Sequence, residues 1–198
     1  MIGRVLENAT LYELVQTLAG SRVNDAKMRA ILGTIEPGIR ILDAGGGTGT
    51  VARVFDRGLD YCCMDIDLVR VRVAKAHGSS AVQGDATRMP FADESVDMVV
   101  LRAVSHHLGD ELFADMVAES WRVLRPSGCM LFLDAIWAPR WLPGRMLWGI
   151  DQGSHPRSEA QMRAALGKHF DLERPSTYAV IHRYFMTLAR PKAQGAAA

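Results

Sequence analysis

The chain has 198 residues, 48% of them hydrophobic, which is enough for one domain with a sizeable core and too apolar for a disordered protein. Lys plus Arg (23) balances Asp plus Glu (22), so there is no net field to hold a polyanion and no nucleic-acid partner is expected. Three cysteines without metal-ligand spacing, no apolar core of a signal peptide in the first ten residues and no apolar run of membrane-spanning length predict no metal centre, no integral membrane segment and a cytoplasmic location.

Residues 5–19 repeat apolar positions at helical spacing (Leu11, Leu14, Val15, Leu18) and stop at Gly20. A second helix is expected over about 24–34. "IRILDA" (39–44) reads as a strand buried on both faces, and the glycine turn behind it opens a helix reaching Phe55. "DYCCMD" (60–65) is a second strand and "LVRVRVAKAH" (68–77) a helix with Asp67 as its N-cap. "SAVQGD" (80–85) and "ESVDMVVL" (94–101) are the third and fourth strands. Residues 109–124 place Phe113, Met116, Val117, Trp121 and Leu124 on one side of a helix that "RPSG" breaks. "CMLFLDAIW" (129–137) is a fifth strand, 158–168 a helix, and 170–191 holds two more extended segments. Strands alternating with helices imply a parallel sheet covered on both faces. Its ligands bind beyond the carboxyl ends of the strands, near the switch in strand order.

Gly45, Gly46, Gly47 and Gly49 follow the first strand. Such freedom directly behind a buried strand serves a sharp bend and a close approach to a ligand. "GTGTVA" (47–52) also satisfies a loose dinucleotide pattern, with Asp65 lying 18 residues beyond Gly47, so NAD or FAD competes at this point. Three carboxylates separate the readings. Asp43, just before the glycines, would crowd a pyrophosphate but suits a ligand end carrying an ammonium and a sulfonium. Asp65 can accept from both hydroxyls of a ribose. In "GDA" (84–86), Asp85 can accept from an exocyclic amine while the Ala86 N–H donates to a ring nitrogen, which reads an adenine edge. An adenosine with a positive amino-acid tail and no phosphate is S-adenosylmethionine.

The motifs "ILDAGGGTGT", "CMDID", "QGDATRMPFADESVDMVV" and "VLRPSGCMLFLDA" together resemble those of class I S-adenosylmethionine-dependent methyltransferases. The nearest style is the small-molecule branch with the ubiquinone/menaquinone C-methyltransferases. The resemblance covers about residues 24–136. It implies an α/β fold: a Rossmann-like, seven-stranded, mostly parallel sheet with helices on both faces and the last strand antiparallel. By the same resemblance Gly45, Gly47 and Gly49 pass under the methionine part of the cofactor, which Asp43 contacts. Asp65 holds the ribose, Ile66 and Met64 pack on the adenine, Asp85 and Ala86 read its edge, and the Arg102 carbonyl faces the cofactor's amino group. Gly46 stands where the family often has cysteine.

For the acceptor side, His106 and His107 in "SHHL" (105–108) are candidate general bases, with packing or helix capping as their alternative. The stretch 137–158 carries Trp137, Trp141 and Trp148, with His155 and Arg157 near its end, placed to fix a polar or anionic group of the acceptor at the rim or to cap the helix beginning near Ser158. A lid over an apolar acceptor explains so much apolar surface, and a face for a homodimer or simple packing explains it as well. Tyr12 closes over the cofactor from the N-terminal side. The domain reading is a single methyltransferase domain over 1–190, with a helical cap at 1–35, an acceptor-side loop or lid at 137–158 and a frayed tail at 191–198. The expected activity is methyl transfer to a small organic, apolar or aromatic acceptor on oxygen, carbon or nitrogen. The alternatives are a dinucleotide-dependent oxidoreductase and a non-catalytic S-adenosylmethionine-binding protein. "RAVS" after strand four, in place of an Asn/Asp-Pro-Pro-Tyr stretch, counts against methylation of base amines.

Overall fold

A computed structural model describes residues 20–56, 58–142, 155–180 and 182–193. The helix expected at 5–19, Tyr12 and Trp148 lie outside the described residues. Seven strands form one sheet: β1 (Arg40–Ala44), β2 (Asp60–Asp65), β3 (Ser80–Gln83), β4 (Val96–Arg102), β5 (Leu124–Ile136), β6 (Phe170–Ala179) and β7 (Arg183–Pro191). Their order is β3-β2-β1-β4-β5-β7-β6. β1 to β5 run parallel, and β7 is antiparallel to both its neighbours. Chain order therefore reverses between β1 and β4, and the cleft at their carboxyl ends is the expected place for a ligand.

Among the described residues four helices flank the sheet: α1 (Ser21–Leu32), α2 (Leu68–Ala76), α3 (Asp110–Val123) and α4 (Glu159–Leu166). Local chemistry sets their starts. Asp67 caps α2 by accepting from Val69 N–H, as expected. Ser158 and Gln161 form a reciprocal capping box on α4. α1 begins at Ser21 rather than 24, directly behind Gly20 in a left-handed conformation.

Side chains alternate along the strands and feed two cores. On one face Leu42, Met64 and Phe132 pack with Phe113 and Met116 of α3 and Met162 of α4. On the other Ile41, Leu131 and Leu133 pack with Met28 and Ile31 of α1.

Three expectations change. The helix after the glycines is a short 3₁₀ turn, Thr50–Val54. Its three residues per turn set Val51 and Val54 on one buried side. β5 begins at Leu124 rather than 129: "RPSG" follows the end of α3 as expected, but within the strand, as a bulge between the Val96–Leu124 and Met98–Cys129 pairs. The tail does not begin at 191. Pro191 pairs with Phe170, and Lys192 donates its N–H to the His169 carbonyl and accepts from the Trp121 indole.

Phe132 is fully buried, its ring 6.2 Å from those of Phe113 and Phe185. Phe132→Ala should cost about 3–5 kcal/mol of stability in a urea titration, because the β5 position cannot collapse between two covered faces.

Candidate active site

The glycine loop leaves β1 and turns over its end. Gly45, Gly47 and Gly49 sit at φ 75, 58 and 75, where a side chain would be strained. Gly46 is required for another reason: a Cβ there would stand 2.4 Å from Asp43 Oδ2 and 2.8 Å from Cys63 Sγ. The loop N–H groups point inward. Gly45 and Gly46 donate to the Met64 carbonyl at 2.8 and 3.0 Å, Gly49 donates to the Gly46 carbonyl at 3.0 Å, and Gly47 donates to Asp65 Oδ2 at 2.8 Å. A pyrophosphate loop presents such groups to its ligand. This one has engaged them in holding itself to the end of β2.

Asp43 lies beneath, 1% exposed. Its Oδ2 accepts from the Tyr61 hydroxyl at 2.5 Å, and its Oδ1 is buried with no hydrogen-bond partner. Burial, opposed by the Tyr61 hydroxyl and the Arg102 guanidinium, pushes this carboxyl up to about 6. Burial and the Asp43 charge push the Tyr61 phenol well above its usual range, so it stays a donor.

Asp65 ends β2, with Oδ2 on Gly47 N–H and Oδ1 on Asp67 N–H at 2.9 Å. Each oxygen keeps a second lone pair. The next residue, Ile66, is 66% exposed, although it is a large aliphatic side chain on a strand end. Met64, expected beside it, is instead fully buried in the core below Gly84. Asp85 and Ala86 follow β3. Asp85 is exposed, and its Oδ1 accepts from both the N–H and the hydroxyl of Thr87 at 2.8 Å.

β4 ends at Arg102, and Ala103 turns the chain at φ 54. The Arg102 guanidinium donates to Asp25 of α1 at 2.8 Å, while Arg53 of the 3₁₀ turn takes the other Asp25 oxygen at 2.6 Å. Val104 packs under Gly45, which brings this segment against the glycine loop.

The histidines follow in a second 3₁₀ turn, Ser105–His107. His106 is buried, and its Nδ1 lies 2.6 Å from Asp134 Oδ1 on β5. His107 is exposed, with its ring 4.1 Å from that of His106.

Arg157 departs from its expected place at an acceptor rim. It is 3% exposed. Its guanidinium donates to the carbonyls of Ser105 (2.7 Å) and Leu108 (2.6 Å) and to Asp110 (2.8 Å), and it stacks on Phe113 at 4.6 Å. A cation this deep is held by those acceptors, so its work is to fasten the histidine segment. His155, exposed, donates its main-chain N–H to the His106 carbonyl at 3.0 Å.

Beyond β5, Trp137 (39% exposed) and Trp141 line a cleft of about 470 Å³ with Ile136, Arg183 and Glu159. It opens beyond the carboxyl end of β5, beside the start of β7 and of α4.

The residues the sequence reading missed are Asp134, Tyr61 and Asp25. Asp134 had a signal: it ends the apolar run "CMLFLDAI" as Asp43 ends "IRILDA". Asp25 sits in an ordinary polar helix stretch and had none.

Residues 42–132 match the family model described as a methyltransferase domain. Over those residues the chain is similar to methyltransferase domains. A demethylmenaquinone methyltransferase of Beutenbergia cavernae is 32% identical over 147 residues, 72% of this chain and 60% of the relative. A ubiquinone/menaquinone biosynthesis C-methyltransferase of Paracoccus denitrificans is 30% identical over 159 residues, 72% of this chain and 63% of the relative. The chain thus spans less than two thirds of the length of these relatives. A magnesium protoporphyrin IX methyltransferase of Synechocystis, solved with S-adenosylhomocysteine bound, shares the fold. It has a TM-score of 0.72 and 17% identity, over 96% of this chain and 98% of that one. At the loop itself lie an orphaned buried carboxylate oxygen, inward N–H groups and the exposed aliphatic side chain of Ile66.

Asp43 gives a pH prediction. Its folded value lies above the ordinary 3.8, so its contribution to stability is fully present below about pH 4 and lost as pH rises through about 6. A shift of this size corresponds to roughly 3 kcal/mol. Asp43→Asn should therefore stabilise the ligand-free protein at pH 7–8 and change little near pH 4, measured by urea unfolding across pH.

Proposed function

We propose that the chain transfers a methyl group from S-adenosylmethionine to a small organic acceptor with an apolar or aromatic body. The bonding of the glycine loop carries this reading. With the N–H groups of Gly45, Gly46, Gly47 and Gly49 turned inward, the edge of the sheet offers a ligand carboxylates rather than an anion cradle. That favours a ligand with a cationic tail and ribose hydroxyls over a dinucleotide with a pyrophosphate.

When bound, the cofactor supplies an electrophilic methyl group on a sulfonium. The remaining work belongs to the chain. Asp43 receives the ammonium end, where its Oδ1 otherwise has no partner. Asp65, braced by two main-chain N–H groups, holds the ribose hydroxyls. Ile66 packs on the adenine, and Asp85 with Ala86 reads its edge. The Arg102 carbonyl, at the end of β4, faces the amino group.

The acceptor lies against Trp137 and Trp141, and holding it in line with water excluded can contribute about 7–11 kcal/mol. Tyr12, Trp148 and His155 are the further candidates for its pocket. The similarity to a demethylmenaquinone methyltransferase and to a ubiquinone/menaquinone biosynthesis C-methyltransferase supports an apolar, ring-bearing substrate. The half-exposed Trp137 and exposed Leu142 make a second copy of the chain the competing occupant of that surface. Three free cysteines, Cys62, Cys63 and Cys129, suit a reducing cytoplasm, and among the described residues no helix is long and apolar enough to cross a membrane.

Calorimetry tests the cofactor assignment. S-adenosylmethionine or S-adenosylhomocysteine should bind at micromolar levels and NAD should not; the reverse pattern ends the proposal. Asp65→Ala should weaken that binding by about ten-fold to over a hundred-fold, since it removes a charged acceptor and frees Gly47 together. On the acceptor side, Trp141→Ala should raise KM for a naphthohydroquinone probe and leave cofactor affinity nearly unchanged. An unaltered KM would move the acceptor away from this wall.

A further inference from the structure

The cleft beyond β5 joins two aromatic side chains to more positive charge than its own residues engage. Trp137, exposed, and Trp141, half-buried, line it, and its volume of about 470 Å³ falls in the ordinary range for a small-molecule site. The main chain anchors both. Trp137 N–H donates to the Arg157 carbonyl at 2.7 Å, and Trp141 N–H closes a turn on the Ala138 carbonyl at 2.9 Å. Arg183 begins β7 opposite Ile136 of β5, so the sheet register sets its place beside Trp137.

Arg140, Arg183 and Glu159 are the charged side chains of the lining. Glu159 is already matched. Its Oε1 accepts from Arg163 at 2.7 Å and its Oε2 from the Thr177 hydroxyl at 3.0 Å. The Arg163 hydrogen bond, helped by Thr177 and the charges of Arg163 and Arg183, outweighs burial and holds this carboxyl below its usual range. Arg140 and Arg183 are exposed, and among the described residues neither guanidinium makes a hydrogen bond or an ion pair. Arg157, whose position in the sequence suits it to an anionic group of the acceptor, is buried and engaged with Ser105, Leu108 and Asp110. The cleft therefore keeps two guanidinium forks beside its indoles.

We infer that this cleft takes a flat aromatic carboxylate, its ring along Trp137 and Trp141 and its acid group on Arg183 and Arg140. A guanidinium fork meets a carboxylate through two parallel N–H bonds. A carboxylate conjugated to a ring lies near the ring plane, so one rigid body meets the indoles with its face and the arginines with its edge. A tetrahedral phosphate does not share that plane. That this ligand is the methyl acceptor rests on the methyltransferase reading, and it narrows the apolar or aromatic acceptor to one that carries an acid.

Calorimetry on the full chain tests this with indole-2-carboxylate and its neutral amide, indole-2-carboxamide. The two probes share one flat body and differ in charge. The carboxylate should bind about ten-fold or more tightly, and the preference should shrink as salt rises, as it must for an exposed ion pair. Arg183→Gln should lower carboxylate affinity about ten-fold and leave the amide nearly unchanged; Arg140→Gln should act in the same direction. Both positions are exposed, so the fold should tolerate the changes. Arg72→Gln removes the same charge from an exposed site on α2 and should alter neither affinity. Trp137→Ala should weaken both probes. Saturating S-adenosylhomocysteine should leave carboxylate binding in place, because acceptor and cofactor must fit together.

Equal affinity for the two probes overturns the proposal, as does a carboxylate preference that survives in the Arg140→Gln/Arg183→Gln double variant. So does failure of both probes to bind, or sedimentation showing a dimer that Trp137→Ala dissociates, which would give the indoles to a second copy of the chain. Displacement of the carboxylate by S-adenosylhomocysteine would overturn its role as acceptor. Failure of S-adenosylhomocysteine itself to bind would count against the methyltransferase reading instead, and the comparison of the two probes would still stand.

Discussion

A carboxylate buried at the carboxyl end of β1 constrains everything around it. Asp43 has one hydroxyl partner, from Tyr61, and one oxygen with none. The chain passes so closely above it that only glycine fits at 46. That closeness turns the loop's N–H groups down onto Met64 and Asp65. The loop's surface therefore carries few of its own donors, and the carboxylates at this edge of the sheet keep the cost of their burial.

Around this point the chain builds a chain of charges rather than an isolated pair. Arg102 from β4 and Arg53 from the 3₁₀ turn share the two oxygens of Asp25, and Arg29 donates to the Arg53 carbonyl. Elements distant in sequence are thereby tied at the mouth of the switch point: α1, the glycine turn and the end of β4. Arg102 is also the cation that opposes the burial of Asp43. Removing it would leave Asp25 with Arg53 alone and Asp43 without the cation that opposes its burial, the kind of change that destabilises by more than the lost bond.

Asp43 and Asp134 are a natural comparison inside one molecule. Both close apolar strands at the same edge of the sheet, and both are 1% exposed. One is raised because a single hydroxyl cannot offset its burial; the other is lowered because four donors do. Their environments push the two acids apart, one up and one down, from the same edge of one sheet.

By itself the sequence determined the order of strands and helices, since branched apolar runs and helical spacing are local signals carried by neighbouring residues. It also marked the carboxyl edge of the sheet: Asp43 and Asp65 lie at the ends of β1 and β2, Asp85 just follows β3, and the glycines announce the turn. Tertiary structure decided the rest because it depends on what lies across the sheet. Nothing local to "DYCCMD" says that Tyr61 faces Asp43 from the adjacent strand, or that Met64 is core while Ile66 is exposed. Nothing near residue 157 says that its arginine turns back some fifty positions to the carbonyls of Ser105 and Leu108. The two histidines look alike in "SHHL"; only the register that lays β5 beside β4 puts Asp134 against His106 and leaves His107 outside.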